Sequence, residues 1–313
     1  GSSKVASYHR KILNIAESNF NVIKKADMAH PRRPNIINVV EDEVKIDLGK
    51  STEIAGELSR LALELATDDL MQKNIDVLVT APINKKNVQS KGFDFPGHTE
   101  YLTAKLKAAE SLMLMVSDSV RIGVITGHVA LNKVPEILTE QLILQKIKLL
   151  DQSLKRDFAI IKPRIAILAL NPHAGDEGLI GKEEQTIIQP AIEKSFNNNI
   201  LAFGPYPADG FFGSSDFRNF DGILAMYHDQ GMIPFKLLSF ENGVNFTAGL
   251  QYVRTSPAHG TAYSLAGKDE ANIEAFRNAV YLGCDIYNNR VAYDELIAGS
   301  LNAPVRQEPE NGQ

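Results

Sequence analysis

Cysteine is almost absent from this chain, because Cys284 is the one cysteine among 313 residues. A single cysteine cannot form a disulfide within the chain, and such usage is typical of proteins from a reducing compartment. The first residues, GSSKVASYHRK, also lack the apolar core of an export signal. We therefore expect a cytoplasmic protein in which Cys284 packs along an amphipathic segment.

Long apolar runs and basic blocks are also missing. Runs such as VLVTAPI and RIAILAL are far shorter than the roughly 18 to 20 residues of a membrane-spanning helix. Lys and Arg number 33 against 38 for Asp and Glu, which gives a formal net charge of -5. Nucleic acids and acidic membranes are bound by positive surfaces, so we expect no nucleic-acid partner and no membrane partner.

The usual nucleotide-binding motifs are absent as well. The GKS at 49–51 resembles the end of a P-loop, but Val44 stands where the first glycine of that motif belongs. No GxGxxG follows a strand-like run, so the sequence gives no support for a Rossmann dinucleotide site.

What the chain does contain is a repeated local pattern. A short run rich in Val, Ile and Leu is followed by Gly, Pro, Asn or His and then by a helical pattern. Near-continuous apolar strands that alternate with helices are typical of a parallel sheet covered on both faces. The pattern predicts an α/β fold with ligands bound beyond the strand ends. It occurs in IDVLVTAPINK (75–85), VRIGVITGH (120–128), PRIAILALNPHAG (163–175) and DGILAMYHDQG (221–231).

Three of the seven histidines, His128, His173 and His228, come directly after such strand-like runs. Three imidazoles at neighbouring strand ends can converge, and three neutral nitrogens with an open coordination position suit a catalytic divalent metal. The alternative is that each is a loop histidine bonded to the backbone. The spacing is not a local metal motif such as HExxH, so both readings stay open on the residues alone.

A second group of side chains suits an anionic ligand. In FPGHTEYL (95–102), His98 and Thr99 stand where a helix can begin, a place suited to phosphate or carboxylate oxygens. The alternative there is an ordinary cap formed by Thr99. Downstream, Lys236, Asn245 and Arg254 can bind an anion if they reach one cleft, and otherwise they are solvated surface groups.

Five blocks together resemble the 4-hydroxythreonine-4-phosphate dehydrogenase family of vitamin B6 biosynthesis. The similarity extends from about residue 75 to 290, and the blocks occur in the order and approximate spacing of that family. They are GHTE (97–100), NPHAGDEG (171–178), YHDQG (227–231), GVNFTAGL (243–250) and RTSPAHGTA (254–262).

The resemblance implies an enzyme that oxidises 4-phosphooxy-L-threonine with NAD or NADP and then decarboxylates the product to 3-amino-2-oxopropyl phosphate. It implies that His128, His173 and His228 bind one divalent ion, of Zn, Co, Ni or Mg. The phosphorylated substrate would contact His98, Thr99, Lys236, Asn245 and Arg254. Asp209 and Asp229 are the candidate bases, and Asp229 can instead orient a ligand imidazole.

The cofactor loop carries a further resemblance. AHGTAYSLAGKDEANIEA (258–275) is similar to the loop that receives the adenosine of NAD(P) in isopropylmalate and isocitrate dehydrogenases. This implies cofactor contacts from His259, Gly260, Thr261, Ala262 and Asn272. Ala258 replaces an acid that is common in the family, which removes a potential side-chain partner of His259.

The same resemblance implies the architecture and the assembly. We expect an isocitrate/isopropylmalate dehydrogenase-like fold with two α/β/α lobes and a cleft between them. An outer, cofactor-side lobe would comprise 1–97 plus 236–313, and a central lobe, 98–235, would carry metal ligands and dimer contacts. The active site would be shared between the subunits of a homodimer, so that a monomer is inactive.

Alternative functions remain at this level. A related dehydrogenase of 4-phospho-D-threonate or erythronate would use the same histidines and anion-binding groups. A three-histidine metal hydrolase would need no dinucleotide. Family members usually carry a strand and a Gly-rich turn before the KVASYHRK-like segment, so we also consider an inactive, N-terminally truncated chain.

Overall fold

The computed structural model describes residues 1–16, 19–41, 44–89, 93, 95 and 97–299. The strands in these ranges are β1 (Asn21–Ile23), β2 (Asn35–Ile37), β3 (Val77–Val79), β4 (Leu112–Val116), β5 (Arg121–Thr126), β6 (Arg164–Leu168), β7 (Leu201–Tyr206), β8 (Gly222–Tyr227), β9 (Val244–Ala248) and β10 (Val253–Pro257). The α-helices are α1 (Ser3–Ile12), α2 (Glu53–Met71), α3 (Lys85–Gln89), α4 (His98–Lys105), α5 (Val134–Ile137), α6 (Glu140–Arg156), α7 (Gln189–Asn197), α8 (Ala208–Gly213), α9 (His228–Ser239) and α10 (Glu274–Gly299).

An eight-stranded sheet with the order β3-β10-β9-β4-β5-β8-β6-β7 forms the centre of the molecule. Its β5, β8, β6 and β7 strands run parallel to one another. The β10–β9, β9–β4 and β4–β5 pairs are antiparallel. The α/β class is therefore confirmed, whereas the expectation of a parallel sheet is wrong for three of the seven strand pairs. A tight β4–β5 connection, closed by the Ser117 N–H bonding to the Val120 carbonyl at 3.0 Å, imposes the antiparallel pairing.

All four strand-like runs predicted from the sequence are strands, namely β3, β5, β6 and β8. The β4–β9 pairing joins a strand of the predicted central lobe to one of the predicted outer lobe. The sheet is thus continuous across that boundary, and the division into two lobes stays a prediction. Among the described residues, we find no helix with the length and apolar character needed to cross a bilayer.

The antiparallel half of the sheet has one apolar and one polar face. Leu114 and Phe246 are paired across β4 and β9 and lie in the main core, which also includes buried residues of α6. Side chains alternate between faces along a strand, so their neighbours point the other way. The opposite face carries Met113, Met115, Asn245, Thr247, Arg254 and Ser256.

Strand β8 passes into α9 without an intervening loop. Tyr227, the last residue of β8, is the N-cap of α9, and His228 is the first helical residue. A Cβ on Gly231 would lie 2.9 Å from Ile122 Cγ2 and 3.1 Å from Val124 Cγ1. The glycine therefore allows α9 to pack closely on β5, which fixes the direction of its first turn.

The segment VPEILTEQLILQKIKLLDQSL, from Val134, has a helical apolar pattern throughout but forms two helices. The break occurs because Leu138 is extended and Thr139 caps α6 by accepting a hydrogen bond from the Leu142 N–H. Cys284, expected to pack, lies exposed on α10, whose buried side is formed by small and polar residues as well as Ile286.

Candidate active site

A cavity of about 280 Å³ lies on the polar face of the antiparallel strands. Its floor includes Met113, Met115, Asn245, Arg254 and Ser256, and the ends of β5 and β8 form one wall. Nine of the residues predicted from the sequence line this cavity. They are His98, Thr99, His128, His228, Lys236, Asn245, Arg254, His259 and Gly260.

Arg254 is the most deeply buried charged group of the cavity, with 2% of its surface exposed. Its Nε and Nη2 atoms donate to Thr80 Oγ1 at 3.2 and 2.7 Å, and Nη1 donates to Thr247 Oγ1 at 3.3 Å. Burial lowers the pKa of Arg254 to about 10, while the charge of Glu100 acts in the opposite direction. Arg254 thus stays cationic at neutral pH, and no carboxylate within the described residues forms a salt bridge with it.

His98 begins α4 and faces the same cavity. Burial, together with the nearby charges of Arg254 and Lys85, lowers the pKa of His98 to about 3. The imidazole is therefore neutral at physiological pH. Thr99 lies inside the first turn and the N-cap is Gly97, so the alternative of a Thr99 cap is wrong.

The rest of the anion-binding group is polar and incompletely paired. The Oδ1 atom of Asn245 is buried and has no hydrogen-bond partner within the described residues. Lys236 reaches the cavity from the exposed side of α9, and Lys85 reaches it from α3. Three cationic side chains and an unsatisfied amide oxygen therefore surround a space of small-molecule size.

His128 and His228 stand together at the ends of β5 and β8. Their ring centroids are 5.9 Å apart, and each Nδ1 atom faces a carboxylate. His228 Nδ1 lies 2.7 Å from Asp229 Oδ1, and His128 Nδ1 lies 3.5 Å from Glu100 Oε1. A carboxylate at Nδ1 favours the tautomer with a free Nε2 lone pair, which is the arrangement of histidines that bind metals. The pair is thus suited to hold a divalent cation.

His173 lies away from these two histidines. It is exposed in the Pro172–Gly178 turn that follows β6, and it does not line the cavity. Over the described ranges, no group of three or more His, Cys, Asp or Glu side chains is arranged to hold a metal. Within one chain, the strand ends bring two of the three predicted ligands together.

The two candidate bases occupy different settings. Asp229 contacts His228, and its side chain is largely exposed, which fits the role of orienting that imidazole. Asp209 lies exposed in the first turn of α8 and is not among the residues lining the cavity. Within one chain, neither carboxylate lies on the cavity wall.

The predicted cofactor residues are divided among three places. His259 and Gly260 line the main cavity, and Thr261 lines an adjoining one of about 190 Å³ that shares Pro82 and Ile83 with it. Ala262 has a left-handed backbone, and Asn272 Oδ1 accepts a hydrogen bond from the Glu274 N–H at the start of α10.

The partner of His259 in this loop is the backbone. Its Nδ1 lies 2.9 Å from the Gly260 carbonyl, which can only accept, so Nδ1 carries the proton. Ala258, where the family commonly has an acid, lines the cavity and packs on an apolar cluster.

Two charged residues of the cavity were missed from the sequence. Glu100 belongs to the GHTE block and supplies the carboxylate next to His128. Lys85 follows β3 in the run TAPINK, where the sequence pattern predicts only a strand and its connection. A polar residue at the end of a predicted strand was the available signal for Lys85.

Comparison with known proteins gives consistent results. A profile of the family described as "Pyridoxal phosphate biosynthetic protein PdxA" matches residues 1–283. The chain is 48% identical over 291 residues to a 4-hydroxythreonine-4-phosphate dehydrogenase of Bacteroides thetaiotaomicron, covering 93% of this chain and 80% of the relative. It is 38% identical to that of Sulfurihydrogenibium sp., covering 90% of this chain and 87% of the relative.

Solved structures agree. The crystal structure of a 4-hydroxythreonine-4-phosphate dehydrogenase from Klebsiella pneumoniae matches with a TM-score of 0.80 and 31% identity, covering 92% of this chain and 89% of that chain. A terephthalate 1,2-cis-dihydrodiol dehydrogenase from Burkholderia xenovorans shares the fold, with a TM-score of 0.61 and 21% identity. The profile match and the identity to these relatives place the chain in the PdxA family of pyridoxal phosphate biosynthetic proteins.

Proposed function

We propose that this chain is a 4-hydroxythreonine-4-phosphate dehydrogenase that acts in pyridoxal phosphate biosynthesis. It oxidises the secondary hydroxyl of 4-phosphooxy-L-threonine, and the resulting β-keto acid loses CO₂ to give 3-amino-2-oxopropyl phosphate. Family membership supports the reaction, and the cavity supports a small phosphorylated substrate.

The buried guanidinium of Arg254 is the observation that carries the proposal. A cation with 2% exposure and no carboxylate partner among the described residues is costly unless a ligand supplies the negative charge. Arginine can bind phosphate or carboxylate oxygens with two parallel hydrogen bonds. Lys85 and Lys236 add two positive charges on the same cavity. The cavity therefore matches a substrate that carries both a phosphate and a carboxylate.

The chain's own residues then bind and orient the substrate. His98 is neutral, so it can donate one N–H to a phosphate oxygen without adding charge. The unsatisfied amide of Asn245 is available to a hydroxyl or amine of the substrate. When bound, NAD or NADP supplies the hydride acceptor, and a divalent cation supplies positive charge beside the reacting hydroxyl.

The proposed metal ligands are His128, His228 and His173. Imidazole ligands favour Zn²⁺, Co²⁺ or Ni²⁺ over Mg²⁺. Asp229 and Glu100 hold the Nδ1 sides of His228 and His128, which leaves their Nε2 atoms free. The dinucleotide is proposed to lie along His259, Gly260 and Thr261, because these residues line the main cavity and the adjoining one.

We further propose that a second copy of the chain supplies His173. This histidine is exposed on its own chain, in the turn that ends at Leu179, which is 83% exposed. Leu237, on α9 next to the cavity residue Lys236, is 82% exposed. Ile180 and Leu238, the residues that follow these two leucines, are 48% and 44% exposed, and exposed apolar patches are typical of surfaces that another protein covers.

Subunit mixing tests the shared site directly. The His173→Ala and His228→Ala variants are each expected to be inactive alone. In a mixed dimer one site carries both changes and the other carries neither, so a random mixture should recover about a quarter of the wild-type rate. If mixing restores no activity although mixed dimers form, the site lies within one chain.

The reaction itself is tested by steady-state kinetics with NAD and Co²⁺. Production of NADH and CO₂ from 4-phosphooxy-L-threonine is expected, with a much lower kcat/KM for 4-phospho-D-erythronate. A reversed preference would assign the chain to the related sugar-acid dehydrogenases. Release of inorganic phosphate without NADH would instead indicate the metal hydrolase.

A further inference from the structure

The turn that carries His173 has an unusual backbone. From His173 to Glu177, five consecutive residues have positive φ values of 52°, 51°, 81°, 46° and 53°. Only Gly175 among them is a glycine. Left-handed backbone is unfavourable for L-residues and normally occurs at single positions, so a run of this length requires strong support from its surroundings.

Glu184 provides that support. Its carboxylate has one oxygen that accepts from the N–H groups of Leu170 and Asn171, at 2.8 and 2.7 Å. The other oxygen accepts from Asn171 Nδ2 at 3.0 Å. Glu184 is 3% exposed, and within the described part of the chain it has no Lys, Arg or His in a salt bridge. Its negative charge is therefore satisfied by the backbone that leads into the turn.

The turn closes directly on this carboxylate. A Cβ on Gly175 would lie 2.6 Å from Glu184 Oε2 and 2.7 Å from the Gly181 carbonyl. Glu184 also begins a π-helix, Glu184–Ile188, which precedes α7. Single π-turns are rare and occur frequently at functional sites. The local helix distortion and the strained turn thus meet at one carboxylate.

The same strand end is connected to the other histidines. Gln230, in the first turn of α9, accepts from the Met226 N–H at 2.7 Å and donates to the Ala169 carbonyl at 2.6 Å. Ala169 directly precedes Leu170, whose N–H binds Glu184. Hydrogen bonds therefore link the helix that carries His228 to the turn that carries His173 through the end of β6.

We propose that Glu184 is a positioning residue for His173: its buried carboxylate holds the left-handed turn in the conformation that presents the imidazole as a metal ligand. The inference rests on the proposed metal-dependent function. It adds a residue that touches neither the metal nor the substrate and acts through His173. Support groups of this kind typically change metal affinity by about 10- to 100-fold when they are removed.

A double-mutant cycle on Co²⁺ binding tests the proposal, read by calorimetry and by the visible spectrum of the bound ion. Glu184→Gln keeps an oxygen for the two backbone N–H groups but sets an amide N–H against Asn171 Nδ2. It is expected to weaken Co²⁺ binding about 10-fold. In the His173→Ala background, the same change should weaken Co²⁺ binding less than about twofold, because the imidazole that Glu184 positions is already absent.

Glu193→Gln is the matched control. Glu193 lies exposed on α7, and among the described residues its carboxylate accepts a hydrogen bond from Gln189 of the same helix, so this change should leave Co²⁺ affinity unaltered. The proposal would be overturned if Glu184→Gln lowered Co²⁺ affinity equally in the wild-type and His173→Ala backgrounds. The carboxylate would then have a general structural role. If Glu184→Gln does not fold, Asn171→Ala removes one of the three bonds and enters the same cycle.

Hydrogen exchange separates this inference from the proposed function. Without metal, Glu184→Gln is expected to speed amide exchange at residues 170–178 while the rest of the sheet stays protected. Failure of the wild-type chain to bind Co²⁺ would count against the metal site alone. Unchanged exchange at residues 170–178 would overturn the role of Glu184 whether or not metal binds.

Discussion

The guanidinium of Arg254 donates two hydrogen bonds to the single hydroxyl of Thr80, at 3.2 and 2.7 Å. Thr80 follows β3, and its N–H bonds to the Thr255 carbonyl of β10 at 3.0 Å. The β3–β10 pairing therefore sets the direction of the buried cation. Because these bonds occupy one side of the guanidinium, its remaining N–H groups are available to a ligand in the cavity.

We expect Arg254→Lys to raise the KM for 4-phosphooxy-L-threonine by about 10- to 100-fold with a smaller change in kcat. Lysine cannot bind Thr80, Thr247 and an anion in this planar arrangement, and a hydrogen bond to a charged group is worth about 1.5–3 kcal/mol. Initial-rate kinetics give the comparison.

Arg156→Lys is the control for this change, since Arg156 pairs with Asp294 at the surface. It should leave both constants unaltered. An unchanged KM in Arg254→Lys would contradict the anion-binding role.

His98 is expected to titrate far below an ordinary histidine. Its folded pKa of about 3 lies below the usual value of 6.5, so between these pH values the unfolded chain binds more protons. This contribution to stability is present above pH 6.5 and is lost as the pH falls toward 3. Histidine NMR should show the low pKa, and His98→Gln should flatten the pH dependence of the unfolding free energy.

Added inorganic phosphate should raise the pKa of His98, because a bound anion offsets the charges of Arg254 and Lys85. Sodium chloride at the same ionic strength provides the control. An equal shift of the His98 pKa in chloride and in phosphate would indicate a general ionic effect and would contradict phosphate binding at His98.

Asn245→Leu is expected to stabilise the free protein and to impair catalysis. The buried Oδ1 of Asn245 has no partner among the described residues, and an unsatisfied buried polar group costs about 1–3 kcal/mol. Leucine has a similar size and removes that cost, but it cannot bind the substrate. Urea unfolding should show the gain, and kcat/KM should fall at least about 10-fold.

Asn278→Leu offers the contrast, because the Asn278 amide donates to the Asn242 carbonyl at 3.2 Å. That change should lower stability. Destabilisation in both variants would mean that Asn245 is satisfied in the free protein.

Asp229→Asn should weaken Co²⁺ binding by about 10- to 100-fold. The Asp229 carboxylate lies 2.7 Å from His228 Nδ1 and favours the tautomer that leaves Nε2 free. Asp285→Asn, a change at an exposed aspartate of α10, should leave the affinity unaltered. Calorimetric titration with Co²⁺ measures both, and equal affinities would remove Asp229 from the support of the site.

Gly231→Ala is expected to lower the free energy of unfolding by about 1–3 kcal/mol through overpacking. The added methyl group would meet Ile122 and Val124 at 2.9 and 3.1 Å. Gly210→Ala in α8 meets nothing within 4 Å and should be neutral or slightly stabilising. Urea unfolding of the two variants provides the measurement, and equal stabilities would contradict the close packing of α9 on β5.

The sequence predicted the strands that are buried on both faces. The runs of β5, β6 and β8 are nearly continuous in apolar residues, and that pattern is distinctive. A continuous apolar run does not identify β9, VNFTA, because Asn245 and Thr247 alternate with its apolar residues and lie on the polar face. The β4–β9 pairing joins strands that are distant in the chain, so local patterns did not indicate it. The β4–β5 and β9–β10 pairings are made through the short connections 117–120 and 249–252, which the sequence analysis did not identify as turns between paired strands.

The sequence predicted many of the residues that line the cavity, but it predicted their arrangement less completely. Strand ends brought His128 and His228 together as expected, since β5 and β8 are neighbours in the sheet. His173 follows β6, which also borders β8, but the left-handed turn directs it elsewhere. A run of positive φ values at His173, Ala174, Asp176 and Glu177 has no signature in residue type, because these residues ordinarily avoid that conformation.

The direct junction of β8 and α9 limits how this enzyme can change during turnover or evolution. With no linker between Tyr227 and His228, the backbone of His228 cannot move independently of the central sheet. Any widening of the entrance must therefore come from the facing wall, where Lys85 and His98 begin short helices. Redesign for bulkier phosphorylated acids would accordingly start with that wall and leave the strand-to-helix junction intact.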